Sequence, residues 1–335
     1  FSSRFPSGHL KEVSARGPGA YAIFLGNDPR PHNATAVSRN WFYFRVTNKA
    51  GAQRLQFELQ NLRPNWSMWK NGVGLVYRSN LRTRGQWRKL TRPLRLELNP
   101  KALQLGFDYR LERGEWVEFA LTYPYTHARL RRFLDRLQQH AAAQPHLHFS
   151  RETLVLSPLN YTTEVLQLSS ARNITRFAFP RLKNLFPLRP AAAGTRLFGK
   201  GKCNVVLSAR VHPAETAASF MLEGLLDYLV DGAGSGEVQT LLDRCVVTVV
   251  PMLNPDGVEL GFTRSDLQGL NLNAVYQEAD VNTPTIYALR KVVRYLDTRI
   301  GLLIANRKAL DLSHVHAVVL DEADEMLDLG FLPRS

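Results

Sequence analysis

VVLSARVHPAETAASFMLEGLLDYLV (205–230), with VVTVV (246–250) close behind it, decides the fold of the chain's second half. VVLSARV (205–211) is a mostly apolar run of strand length, as a buried strand requires. ETAASFMLEGLLDYLV (215–230) reads as an amphipathic helix, and VVTVV as a second buried strand. Strand, helix and strand in this order make a β-α-β unit, so the two strands are expected to be parallel with a right-handed crossover. TPTIYALRKVVRYLD (283–297) supplies another helix. Ligands of such sheets gather at the carboxyl ends of the strands.

Upstream the texture is different. WFYFRV (41–46), LQFELQNL (55–62), LQLGFDY (103–109) and EWVEFALTY (115–123) are rich in aromatic and branched residues and alternate as half-buried strands do. In the last, Val117, Phe119 and Leu121 share one face, and Trp116, Glu118 and Ala120 the other. THARLRRFLDRLQQH places Leu130, Phe133, Leu134 and Leu137 at helical spacing, and this helix is expected to close the first segment. The fold class expected is therefore two-domain α+β. Residues 1–150 form an antiparallel β-sandwich, residues 151–299 an α/β domain, and residues 300–335 have a third texture.

The 335 residues can bury two cores, and 44% hydrophobic with 21% charged residues excludes wholesale disorder. The chain opens on Phe1, which suggests that the natural amino terminus lies upstream. No run approaches the roughly 18 apolar residues of a membrane span, so no membrane association is expected. Cys203 and Cys245 are the only cysteines, too few for a disulfide framework, and a reducing, cytoplasmic setting is the simpler expectation. Sequons at Asn33, Asn65, Asn160 and Asn173 matter only in a secreted protein. Lys and Arg outnumber Asp and Glu by 43 to 29, giving a net charge of +14 that favours acidic partners.

The chemistry concentrates where the two buried strands end. His212 follows the first strand and Glu215 opens the helix; imidazole nitrogen and carboxylate oxygen are both zinc donors, and this spacing can aim them at one point. As a bare His-x-x-Glu the pair is weak, because chance alone would supply about 0.4 such pairs in this composition. Glu215 also suits a helix amino terminus on electrostatic grounds alone. PMLNPDGVELG (251–261) turns sharply at the same sheet edge, and Arg264 and Asn273 lie on the polar loop that follows. A guanidinium there can stabilise an oxyanion, and an amide can hold a carboxylate.

HPAET, PMLNPDGV, TRSDLQGLNLNAVY and TPTIYALRKVVRYL, in this order and spacing, resemble the cytosolic carboxypeptidases of the M14 metallopeptidase family. FSSRFPSGHL, NWFYFRV and TYPYTHARL resemble that family's amino-terminal β domain, so the resemblance covers roughly residues 1–299. It implies a Zn2+ cofactor held by His212 and Glu215, with Arg264 polarising the scissile carbonyl and binding substrate. Asn273 would help bind the substrate's terminal carboxylate. It further implies removal of glutamate from acidic protein tails such as polyglutamylated tubulin.

The pattern breaks twice. The family carries an arginine clamp after the position of Asn273, where this chain has Ala274; a methyl group cannot replace a bidentate guanidinium. Past Arg299 the family's third ligand and general base are absent, so the catalytic domain reads as truncated. GLLIANRKALDLSHVHAVVLDEADEMLDLGF instead resembles DEAD-box RNA helicases around their acidic motif, with Asp321 and Glu322 in the magnesium-holding positions. No phosphate-cradling loop accompanies it, since GTRLFGKG (194–201) has Gly201 where the hydroxyl belongs, so neither ATPase activity nor a nucleic-acid partner is expected. His314, or else His316, is the stand-in for the third ligand, following the acid Asp311 in a spacing off by one residue. The alternative to an impaired enzyme is a non-catalytic remnant that binds acidic tails.

Overall fold

The computed structural model describes residues 1–30, 38–64, 69, 74–98, 102–178, 182–188, 196–198, 202–300, 302–303 and 318–320. The described residues form two units. One comprises Phe1–Thr126 and Gly257–Leu270; the other comprises His127–Asp256 and the described residues from Asn271 to the strand at 318–320.

Among the described residues the first unit has nine strands: β1 (Glu12–Gly17), β2 (Ala20–Phe24), β3 (Tyr43–Thr47), β4 (Gln53–Leu62), β5 (Val76–Ser79), β6 (Arg88–Lys89), β7 (Arg95–Leu98), β8 (Leu103–Leu111) and β9 (Trp116–Ala120). They make two sheets, ordered β1-β2-β4-β8-β7 and β3-β9-β5-β6. Aromatic rings from one sheet interdigitate with those of the other: Phe57 packs tilted against Phe119 at 5.5 Å, Phe107 meets it edge-on at 4.9 Å, and Phe44 joins them. The expected sandwich is present, with one difference, because β2 and β4 run parallel.

β9 differs from its reading as a half-buried strand. It is paired on both sides, by β3 and β5, and Val117, Glu118, Phe119 and Ala120 are all buried. Burial of Glu118 is tolerated because Arg45 and Arg78 each reach its carboxylate at 2.6 Å and the Tyr43 hydroxyl donates to it at 2.7 Å. Burial alone would raise the Glu118 pKa, but hydrogen bonds from Arg78, Tyr43 and Arg45 outweigh it and hold the carboxyl below its usual range.

The second unit opens with helix α1 (His127–Ala142), so the helix expected to close the first segment belongs here instead. Strands β10 (Leu147–Leu156), β11 (Thr162–Ser170), the β12 (Ile174–Ala178) and β13 (Arg196–Phe198) hairpin, and β14 (Cys203–Ala209) follow. After these come α2 (Thr216–Asp231), α3 (Gly236–Arg244), β15 (Cys245–Val250) and α5 (Pro284–Ile300), while the short helix α4 (Pro255–Leu260), where only a turn was expected, starts in this unit and ends in the first. The sheet runs β10-β11-β15-β14, and β14 and β15 are parallel as the β-α-β reading requires. Val165, Val206 and Val250 pack in one core with Ile286, Leu289, Val292 and Leu296 of α5.

A truncated sheet should leave the outer edge of β14 open, an aggregation hazard. That edge is instead paired: β16 (Leu302–Leu303) joins it at its start and β17 (Val318–Leu320) at its end, both parallel. Cys203 and Cys245, read as too few for a disulfide framework, are joined as a disulfide.

Candidate metal centre

The chain leaves β14 through a strained turn. Arg210 has φ +58°, the left-handed region that disfavours a side chain. Three contacts hold it there: its carbonyl accepts from Asn254 N at 3.0 Å, and its guanidinium donates to the Pro213 carbonyl and to Ser219 Oγ of α2. The turn delivers His212, 1% exposed, beside Glu215 at the start of α2. His212 Nδ1 lies 2.6 Å from Glu215 Oε1. The N-terminal position of Glu215 makes no cap bond with its side chain, which leaves the carboxylate for the imidazole.

The other ring nitrogen fixes the proton inventory. His212 Nε2 is 2.9 Å from Asn271 Oδ1. That oxygen also accepts the backbone N–H of Asn273 at 3.1 Å, because Asn271 caps the 3-10 turn Leu272–Ala274. An oxygen serving as acceptor requires Nε2 to carry its proton, so Nδ1 faces a carboxylate either as an imidazolium N–H or through a shared cation. Two donors of zinc-binding type therefore converge on one point, with the imidazole tautomer held by a hydrogen bond on its far side, the arrangement metal-bound histidines use. The donor set fits two positions of a zinc site. Among the described residues no group of three His, Cys, Asp or Glu forms around it. His314, and the helicase-like acids Asp321 and Glu322, lie outside the described residues.

The remaining predicted residues are placed as follows. Asn273 sits in the capped turn, two residues after Asn271, which His212 contacts, with Ala274 exposed beside it. Arg264 belongs to the first unit, in a segment whose backbone is clamped: the buried Asp28 accepts from Thr263 N, Arg264 N and Ser265 N at 2.8, 2.7 and 2.9 Å. Below the turn at Asp256, the carboxylate accepts from Ser157 Oγ and from Leu159 N, which ties β10's end to the sheet edge. Sequence reading missed Asn271, Arg210 and Asp28. Only Asn271 left a signal, the repeated asparagine of NLN ahead of a helical turn.

Known proteins now bear on the site. Residues 1–109 match the profile described as cytosolic carboxypeptidase N-terminal domain, and residues 136–286 match that described as zinc carboxypeptidase. The chain is an M14-family, cytosolic-carboxypeptidase-like protein. It is 30% identical to cytosolic carboxypeptidase-like protein 5 of Bos taurus over 88% of its own length and 37% of that protein's. Cytosolic carboxypeptidase 6 of Mus musculus is 28% identical, with 88% of this chain and 49% of that protein covered. The chain thus spans less than half the length of these relatives. A metallo-carboxypeptidase from Burkholderia cenocepacia shares the fold, with a TM-score of 0.64 at 24% identity over 88% of this chain and 66% of that one. These matches lend no support to the helicase-like reading of residues 300–335. Among the described residues no helix is long and apolar enough to cross a membrane.

Proposed function

We propose that the chain is a zinc metallocarboxypeptidase by descent, acting on the carboxyl-terminal or branch-point glutamate of acidic protein tails, of which polyglutamylated tubulin is one. Its turnover is impaired by an incomplete site. The observation that carries the reading is the 2.6 Å convergence of His212 Nδ1 and Glu215 Oε1 under the Asn271 hydrogen bond. When bound, zinc supplies a Lewis acid and a water of lowered pKa. His212 offers its Nδ1 lone pair, Glu215 its carboxylate, and Asn271 keeps the imidazole proton on Nε2. Arg264 and Asn273 keep the roles of the resemblance, at the scissile carbonyl and the substrate carboxylate. The net charge of +14 suits a glutamate-rich tail in a cytoplasmic setting.

Metal analysis of the purified chain tests the assignment. Zinc should be retained by the parent and lost from His212→Ala; equal retention by both removes His212 as a ligand. Glutamate release from a branched glutamyl peptide, abolished by chelator, separates an impaired enzyme from the second reading. That second reading, a non-catalytic binder of acidic tails, is favoured by Ala274 at the clamp position. It predicts binding of the same peptide with no release.

A further inference from the structure

Cys203 is the first residue of β14 and Cys245 the first of β15, and the two are direct register partners in the parallel pair. Their disulfide spans a sequence separation of 42 residues. The closed loop contains β14, the strained turn at Arg210, both His212 and Glu215, α2 and α3. Around the crosslink the same sheet end is tied by polar contacts. The buried Lys202 ammonium donates to Ser169 Oγ, to the Ser170 hydroxyl and carbonyl, and to the Leu242 carbonyl at 2.8–3.2 Å. Ser169 Oγ in turn donates to the Cys245 carbonyl at 2.8 Å.

We propose that Cys203 and Cys245 form a redox-sensitive clasp that sets the stability of the β-α-β unit carrying His212 and Glu215. The geometry supports two folded states. With the bond cut, the register pairs from Asn204–Val246 to Ser208–Val250 and the Lys202 knot still hold the strands together. With the bond formed, the loop closure is covalent and the unfolded chain loses entropy. The co-reactant is a small disulfide of the glutathione class. One cysteine thiolate attacks a sulfur of that disulfide and releases one small thiol. The second cysteine then attacks the mixed disulfide and releases the other. The two cysteines are oxidised by two electrons, and both protons leave on the two small thiols. Cys245 is 8% exposed, so exchange is slow and proceeds through the less buried Cys203. The inference stands independently of metal binding.

The test incubates the full chain in graded mixtures of reduced and oxidised glutathione, quenches with an alkylating agent, and counts modified thiols by mass. Thermal unfolding of each sample is followed by far-ultraviolet circular dichroism. Both thiols should appear together in one two-electron transition, with the reduced chain still folded and its second unit melting about 10 °C lower. The Cys203→Ala, Cys245→Val variant should melt with the reduced parent and ignore the glutathione ratio. Two reactive thiols at every ratio, a disulfide-linked dimer on a non-reducing gel, or identical melting of the oxidised and reduced parent would each overturn the proposal. The comparison of the two parent forms needs no variant to fold.

Discussion

Replacing Asp28 by alanine removes the acceptor of three consecutive backbone N–H groups, those of Thr263, Arg264 and Ser265. Each is a bond to a charged acceptor, worth about 1.5–3 kcal/mol when its partner is left without one. Asp28 is 5% and Ser265 8% exposed, whereas Thr263 and Arg264 are half-buried and regain part of the loss from water. The sum is therefore about 3–5 kcal/mol rather than the additive maximum. Asp28→Asn keeps one oxygen for Thr263 but turns an NH2 group toward Arg264 N and Ser265 N, so it should lose about 2–4 kcal/mol. The assay is favourable because all five tryptophans lie within residues 41–116, inside the first unit. One of them, Trp41, is 2% exposed, and its backbone N–H donates to Thr263 Oγ1 at 3.1 Å, next to the altered segment. Urea unfolding followed by tryptophan fluorescence should show a lower midpoint with little change in slope for both variants. An Asp28→Ala midpoint equivalent to less than about 0.5 kcal/mol of destabilisation would refute the argument, since that is the range of an ordinary surface substitution.

The Glu118 cluster makes the first unit acid-sensitive. Its carboxyl is held below the usual range, so its contribution is whole above the ordinary carboxylate value of 4.5 and is lost as pH falls through the lowered value. Glu118→Gln should cost about 3 kcal/mol at neutral pH by leaving Arg45 and Arg78 without their shared anion, and should flatten the acid limb of the tryptophan-detected stability profile. An unchanged acid limb would show that another carboxylate sets it. Asn271→Leu removes the acceptor that keeps the His212 proton on Nε2, and should weaken zinc about 10–100-fold in competition with a chromogenic chelator. Asn271→Asp, which keeps an acceptor oxygen for the imidazole and for the cap, should restore most of that affinity; equal weakening by both variants would overturn the role assigned to that oxygen.

Periodicity exposed what depends on one strand or helix alone. The alternation of β9 and the apolar runs of β14 and β15 are local facts, and so is the strand-helix-strand order that makes the sheet parallel. The second partner of β9 was not local. Glu118 reads as a solvent-facing residue until β3 and β5 bring Arg45 and Arg78 to it from 73 and 40 residues away. The cysteines were misjudged for the same reason: only the register of β14 on β15 makes Cys203 and Cys245 neighbours. At the site, His212 and Glu215 stood out because a turn and a helix start place them within four residues. Asn271, which decides the imidazole tautomer, is 59 residues from His212 in sequence. Arg210 carries no motif at all; its role is to stabilise an unfavourable backbone angle, and angles are not written in composition.

Gly257–Leu270 lies deep in the α/β half of the chain and yet folds with the β unit, where Ser7 Oγ donates to the Val258 carbonyl and Asp28 gathers residues 263–265. Synthesis runs from the amino terminus, so the sandwich is made before the segment that completes it. At about 5–20 residues per second, the 144 residues from 126 to 270 take about 7–30 s to follow. During that interval Asp28 must keep its charge hydrated and the Ser7 hydroxyl must find water. The β unit therefore cannot reach its final stability as an isolated amino-terminal product. The chain's two halves share a folding schedule as well as a sequence: the sandwich waits for residues that only the later half can deliver.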